Sequence, residues 1–189
     1  SGSIKIDGID VRDFNIKTLR SKIGFIRQKT LLFTGSIKSN IKFGKRKASH
    51  EEMVHSAKVA QAYDFINKKE KKFDEPIGEG GSNVSGGQKQ RLSIARALVR
   101  KPEIYIFDDS FSALDFKTDA ILRAELKKET THAIVLIVAQ RIGSIMDADK
   151  IIVLDEGNVV GIGKHKELLK TCSVYKEIAL SQLTEEELA

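Results

Sequence analysis

The sequence predicts an α/β fold, a mostly parallel sheet flanked by helices. Two observations predict it. Short apolar runs of strand length, among them Ile23 to Ile26, Ile104 to Phe107 and Ile134 to Val138, alternate along the chain with stretches of helical period. These runs show little polar alternation, which implies strands covered by helices on both faces of the sheet. A third observation sets the scale: 189 residues, 41% hydrophobic and 31% charged, suit one globular domain with a core of its own.

The elements follow in order. Ile4-Lys5-Ile6-Asp7-Gly8 alternates and then turns, as a half-buried strand does. Ile23 to Ile26 is a second short strand. From about Ser49 to Lys72 the period is helical, with Met53, Ala57, Ala60, Phe65 and Ile66 facing inward. A glycine-rich loop, Gly78 to Gly81, precedes a helix from about Gly87 to Val99 whose apolar positions are Leu92, Ile94, Ala95 and Leu98; Pro102 lies just past its end. Ile104 to Phe107 is a strand closed by Asp108 and Asp109. A helix over Lys117 to Glu129, strands at Ile134 to Val138 and Ile151 to Leu154, a hairpin turn at Asp155 to Asn158, a strand at Val159 to Ile162 and helices at Lys164 to Lys170 and Val174 to Leu183 complete the chain. The longest apolar run, Ala133 to Ala139, reads as a buried strand and falls well short of the roughly 20 residues of a membrane helix.

Charge and cysteine content narrow the classes. The formal net charge is +6, concentrated in part at Lys42 to Lys47 and Lys68 to Lys72, which read as solvated faces. Glu185 to Glu187 read as a frayed acidic tail, and Ser1-Gly2-Ser3 is not a signal peptide. The lone cysteine, Cys172, cannot form an internal disulfide, fits a reducing compartment and has no low-pKa motif around it, so it reads as structural filler.

Two places carry chemistry. Ser85-Gly86-Gly87-Gln88 opens an amphipathic helix. The first amides of a helix lack internal partners and carry the positive end of its dipole, and glycines let a phosphate approach them. By themselves these residues fit an ordinary N-cap on Ser85 better than a phosphate clamp. Asp108 emerges at the C-terminal end of a buried strand, where open α/β sheets bind ligands and where a carboxylate can hold Mg²⁺; it also reads as a simple turn cap.

The continuation of the first motif decides between these readings. Asn83-Val84-Ser85-Gly86-Gly87-Gln88-Lys89-Gln90-Arg91, followed by Leu92 to Leu98, resembles the signature motif and helix of ABC ATPases, with Val84 in place of the usual Leu. Ile104 to Asp108 resembles the family's Walker B strand, Phe111 to Asp115 its D-loop and Val138 to Arg141 its switch segment. Ile26-Arg27-Gln28 followed by Leu32-Phe33-Thr34-Gly35-Ser36-Ile37-Lys38-Ser39-Asn40-Ile41 resembles the Q-loop of exporters, and Glu75 to Gly81 their X-loop, which touches the membrane domain. The resemblance implies a P-loop NTPase-like ABC nucleotide-binding domain with ATP and Mg²⁺ as cofactors. Residues from about 30 to 100 would form a helical signature subdomain, and 1–29 with 101–189 the core. It implies that Ser85, Gly86, Gly87 and Gln88 contact ATP held by a second nucleotide-binding domain across a head-to-tail dimer. It implies as well that Asp115 crosses to that domain, that Asp108 holds Mg²⁺, and that Gln28 contacts Mg²⁺ or the attacking water and couples the site to membrane helices.

Two positions depart from the family. The residue after the Walker B Asp is usually Glu, which polarises the attacking water; here it is Asp109, one methylene shorter. A general base must reach its proton within about 2.6–3.2 Å, and misplacement by about 1 Å can cost about 10²-fold in rate. The switch His is here Gln140, which can still hydrogen-bond a γ-phosphate but cannot be protonated. Together they resemble the degenerate site of a heterodimeric ABC exporter, with catalytic positions Asp109 and Gln140.

A Gly-x-x-x-x-Gly-Lys-Ser/Thr phosphate loop is absent: Gly44-Lys45 is followed by Arg46 and Gly163-Lys164 by His165, with Ser39 and Asn158 where the first glycine belongs. Ser1 to Gly8 resembles the segment after the P-loop helix, so the chain is expected to be the C-terminal part of the domain, lacking the P-loop strand and helix and binding ATP weakly by itself. The parent is expected at the cytoplasmic face of a cell membrane, joined to a transmembrane domain and without specific nucleic-acid binding. The alternatives are an importer ATPase, a DNA-repair-type ABC ATPase and a non-hydrolysing regulatory module.

Overall fold

The computed structural model describes residues 2–184, and the chain divides after Val138 into two units. Ser1 and the acidic run Glu185 to Glu187 lie outside the described residues.

The first unit begins with a hairpin, β1 (Lys5–Ile6) against β2 (Ile9–Asp10). Its turn residues Asp7 and Gly8 both have positive φ, 52° and 81°, as a tight two-residue turn requires. Asn15 caps α1 (Ile16–Lys22) through the amides of Lys17 and Thr18, and the helix runs directly into β3 (Ile23–Ile26). The short strand β4 (Gly35–Ser36) leads into α2 (Ile37–Lys42), started by a capping box between Ser36 and Ser39 that presents Ile37, Asn40 and Ile41 inward. Neither α1 nor α2 was expected from the sequence; both are too short for a period to show.

The helix expected over Ser49 to Lys72 is two helices, α3 (His50–Val59) and α4 (Tyr63–Asn67). The break is a Schellman turn: Gln61 takes φ 55°, its amide donates to Lys58, and the Ala62 amide reaches back to the carbonyl of Ala57. Glycine is the usual residue there, so a glutamine hid the stop. Met53, Ala57, Ala60 and Ile66 face the core as expected, while Phe65 is half-buried beneath the guanidinium of Arg91.

β5 (Pro76–Ile77) pairs with β4. Then come α5 (Gly86–Leu98), β6 (Ile104–Asp108), α6 (Phe116–Glu129) and β7 (Ile134–Val138), close to the expected bounds. The main sheet has the order β3-β6-β7 and is parallel throughout. Ile26, Leu92, Ile94, Phe107 and Leu122 meet in its core.

The sheet is not covered on both faces as the apolar runs implied. β6 is central and its Ile104, Tyr105 and Phe107 are buried, but Ile134, Val135, Leu136 and Val138 of β7 are exposed. β7 therefore corrects the reading of Ala133 to Ala139 as a buried strand. It lies at the sheet edge, paired on one side only among the described residues.

In the second unit β8 (Ile151–Asp155) and β9 (Asn158–Gly163) form an antiparallel hairpin turned by Glu156 and Gly157, both at positive φ. α7 (His165–Thr171) and α8 (Ser173–Leu180) follow. Ile151, Val153, Leu168, Cys172, Tyr175 and Ala179 form a separate core, with the Cys172 thiol buried and free. No described helix is long and apolar enough to cross a membrane.

Candidate functional site

The parallel pairing of β3 with β6 sets Ile26 beside Phe107, so Gln28 and the two aspartates leave the sheet at the same edge. Gln28 Nε2 donates to Asp109 Oδ2 at 3.1 Å. Asp109 has φ 43°, its amide donates to Val138 O at 2.9 Å, and its carbonyl accepts from Ser112 Oγ at 2.9 Å. A left-handed backbone costs a non-glycine residue on the order of 1 kcal/mol, and these contacts hold it there. The buried Ser110 fastens the turn to β3, its Oγ donating to Ile26 O at 2.9 Å. Asp108, the last residue of β6, pairs with Val138. The Asp108 and Asp109 carboxylates are hard oxygen donors at the end of one strand. They suit Mg²⁺ held by one or two protein groups and completed by phosphate oxygens.

At the start of α5, Ser85 Oγ accepts from the Gln88 amide at 3.3 Å and Gln88 Oε1 accepts from the Ser85 amide at 3.2 Å. Ser85 is thus the N-cap of α5, and its capping box leaves the reading of these residues as a phosphate contact to the proposal below. A Cβ on Gly86 would meet nothing within 4 Å, so its approach is free for a phosphate. A Cβ on Gly87 would lie 3.2 Å from Ala113 O, so this glycine lets the helix pack against the Phe111–Asp115 segment. Asp115 caps α6 by accepting from the Thr118 amide at 2.9 Å. That bond, helped by the charge of Arg91, holds its carboxyl below the ordinary range.

Side chains of α5 fasten it to its surroundings in ways the sequence did not announce. Thr30 Oγ1, two residues past Gln28, donates to Oε1 of the buried Gln90. Arg91 donates to Gln61 O at 3.1 Å, and burial lowers its pKa against the opposing charges of Asp115 and Asp64. Arg96 donates to Asn40 O, Asn40 Oδ1 and Leu31 O at 2.8–3.0 Å, while Asn40 bonds both backbone groups of Phe33. Burial pushes the Arg96 guanidinium down to about 10. These partners are separated by 30 to 65 residues, and no local pattern marks them.

Gln140 belongs to the second unit, where it is exposed. Its carbonyl accepts from Gln182 Nε2 at 2.8 Å, and Gln182 Oε1 accepts from the Ile142 amide at 2.9 Å. The expected residues therefore fall into three groups: Gln28 with Asp108 and Asp109 at the sheet edge, Ser85 to Gln88 with the Asp115 segment at α5, and Gln140 in the second unit.

Residues 1–112 match the ABC transporter family. The chain belongs to that family. Among its relatives is an uncharacterised ABC transporter ATP-binding protein of Bacillus subtilis, 46% identical over 98% of this chain and 32% of the relative. A Staphylococcus aureus protein, named as a multidrug export ATP-binding/permease protein, is 42% identical over 94% of this chain and 31% of its own. The structure of a bacterial Atm1-family ABC exporter with ATP bound superposes with a TM-score of 0.94 at 37% identity, covering 98% of this chain and 33% of that one. The chain thus spans about a third of the length of these ABC transporters. Its mixed α/β architecture, with a parallel sheet and helices, is that of the ABC ATPase.

Proposed function

We propose that this chain is the ATP-binding portion of an ABC exporter that drives transport by nucleotide-dependent dimerisation, and that its own site turns over slowly. The observation that carries the reading is the Asp109 carboxylate, held at the sheet edge by Gln28 where the family places a longer glutamate. The exporter likeness of the whole chain supports the transport direction.

ATP and Mg²⁺ would bring the phosphoanhydride and the charge that neutralises it. The chain's residues supply the rest. Asp108 and the Gln28 amide hold the metal. Asp109 is the base, but it lacks a methylene and is tied to Gln28. Gln140 hydrogen-bonds the γ-phosphate without carrying charge. Ser85, Gly86, Gly87 and Gln88 contact the γ-phosphate of ATP on a second nucleotide-binding domain, and Asp115 crosses to it. That domain is a different subunit with a complete catalytic set. Residues from about 30 to 100 act as the helical subdomain, and a transmembrane domain of the parent protein places the assembly at the cytoplasmic face of a membrane.

The test is ATP turnover by the complete assembly after the second domain's catalytic glutamate is replaced by glutamine. The expected result is a loss of about 10²-fold or more, the scale on which a displaced base acts. Retention of most turnover would show that the site containing Asp109 is competent.

A further inference from the structure

We infer that Gln182 is a positioning residue for the switch segment, and that the end of the C-terminal helix α8 thereby sets where Gln140 points. The inference rests on Gln140 being the γ-phosphate contact proposed above.

After β7 the backbone leaves its ladder, and Gln140 stands on a connection between a strand and a short 3-10 turn over Ile142–Ser144. Such a connection needs partners for its peptide groups if it is to hold one conformation. One side chain supplies two of them. The Gln182 amide donates through Nε2 to Gln140 O at 2.8 Å and accepts through Oε1 from the Ile142 amide at 2.9 Å. The terminal amide thus stands in for a peptide group and brackets residues 140–142 on both sides. Its orientation is set by the network, because a flipped amide would place NH₂ against the Ile142 N–H and oxygen against the Gln140 carbonyl.

Gln182 is exposed, just past the end of α8, and its backbone is tied to that helix. Its backbone amide donates to Ala179 O at 3.1 Å in the last turn of α8, and Ala179 and Tyr175 are fully or almost fully buried in the core of the second unit. Ile142 is buried in the same core, so the clamp ties the switch segment to the α8 end within one unit. A glutamine at position 140 makes such support more important than a histidine would, since an uncharged amide draws no charge–charge attraction from a phosphate and relies on its placement.

The experiment uses Gln182→Met, which keeps the side chain's approximate volume and removes both hydrogen bonds, with Gln140→Ala and the double variant, all in the complete protein. Amide hydrogen exchange is followed at Ile142, and equilibrium binding of Mg-ATP alongside it. The clamp predicts that Gln182→Met speeds exchange at Ile142 by about fivefold, from the loss of a bond worth about 1 kcal/mol, with the β6 amides unchanged. It also predicts that Mg-ATP binding weakens several-fold in Gln182→Met, and that this loss vanishes when Gln140 is already alanine. Unchanged exchange at Ile142, or a Gln182→Met loss that persists in full beside Gln140→Ala, would overturn the positioning role. If Gln140→Ala alone leaves nucleotide binding unaltered, the nucleotide role of Gln140 fails; faster exchange at Ile142 would then still uphold the clamp on the segment.

Discussion

At the level of single residues the proposed function gives most weight to two positions, Asp109 and Gln140, each of which departs from the family by a small change. Asp109 keeps the charge of a glutamate and loses about 1.5 Å of reach, and in the structure its carboxylate is already engaged by the Gln28 amide at 3.1 Å. Its φ of 43° adds a second constraint, because the backbone that aims the side chain is fixed by Val138, Ser112 and the neighbouring Ser110. If reach and charge are what limit this site, then Asp109→Glu together with Gln140→His should raise its turnover by about 10²-fold. Single-turnover ATP hydrolysis, measured with the second domain's glutamate replaced so that only this site reports, checks it. The identities of both positions were plain in the sequence. The bond from Gln28 to Asp109 was not, because it joins residues 81 apart.

Among the elements, legibility followed length and glycine. α5, α6, β6 and β7 carry enough apolar residues for their period to show, and they form where expected. α1 and α2 have seven and six residues, one without a buried position, and leave no such trace. The turn between α3 and α4 uses Gln61 where glycine would have announced it. α7 carries an element-level response to pH. Its first residue, His165, is buried, with Nδ1 2.8 Å from the Tyr175 hydroxyl. Its pKa is lowered by burial first and by Lys166 next, against the pull of Asp147. A histidine depressed in the folded state binds its proton more readily when unfolded. Its contribution to stability is therefore full above its ordinary pKa near 6.5 and is lost as pH falls through the folded value. Thermal unfolding of the second unit, followed by the near-ultraviolet signal of Tyr175, should have a lower midpoint at pH 5 than at pH 7.5. His165→Gln should shrink the difference.

For the molecule as a whole, the sequence showed the fold class and the motifs but misjudged how much of the sheet is covered. The apolar run of β7 implies burial because apolar runs usually are buried; Ile134, Leu136 and Val138 are exposed on a strand at the edge of the sheet among the described residues. The chemistry is similarly divided. Asp109 at the sheet edge is tied to the chain's own Gln28, whereas a Cβ on Gly86 at the α5 terminus would meet nothing within 4 Å, an opening that suits the role proposed for this motif at a second domain's nucleotide. The measurement that tests this most directly compares Ser85→Ala and Asp109→Asn, each in the complete assembly, by steady-state ATP hydrolysis. Ser85→Ala is expected to lower turnover by about 10-fold or more, on the scale of a lost hydrogen bond to a charged group, and Asp109→Asn to change it less than twofold. A large loss from Asp109→Asn with none from Ser85→Ala would contradict the proposed function.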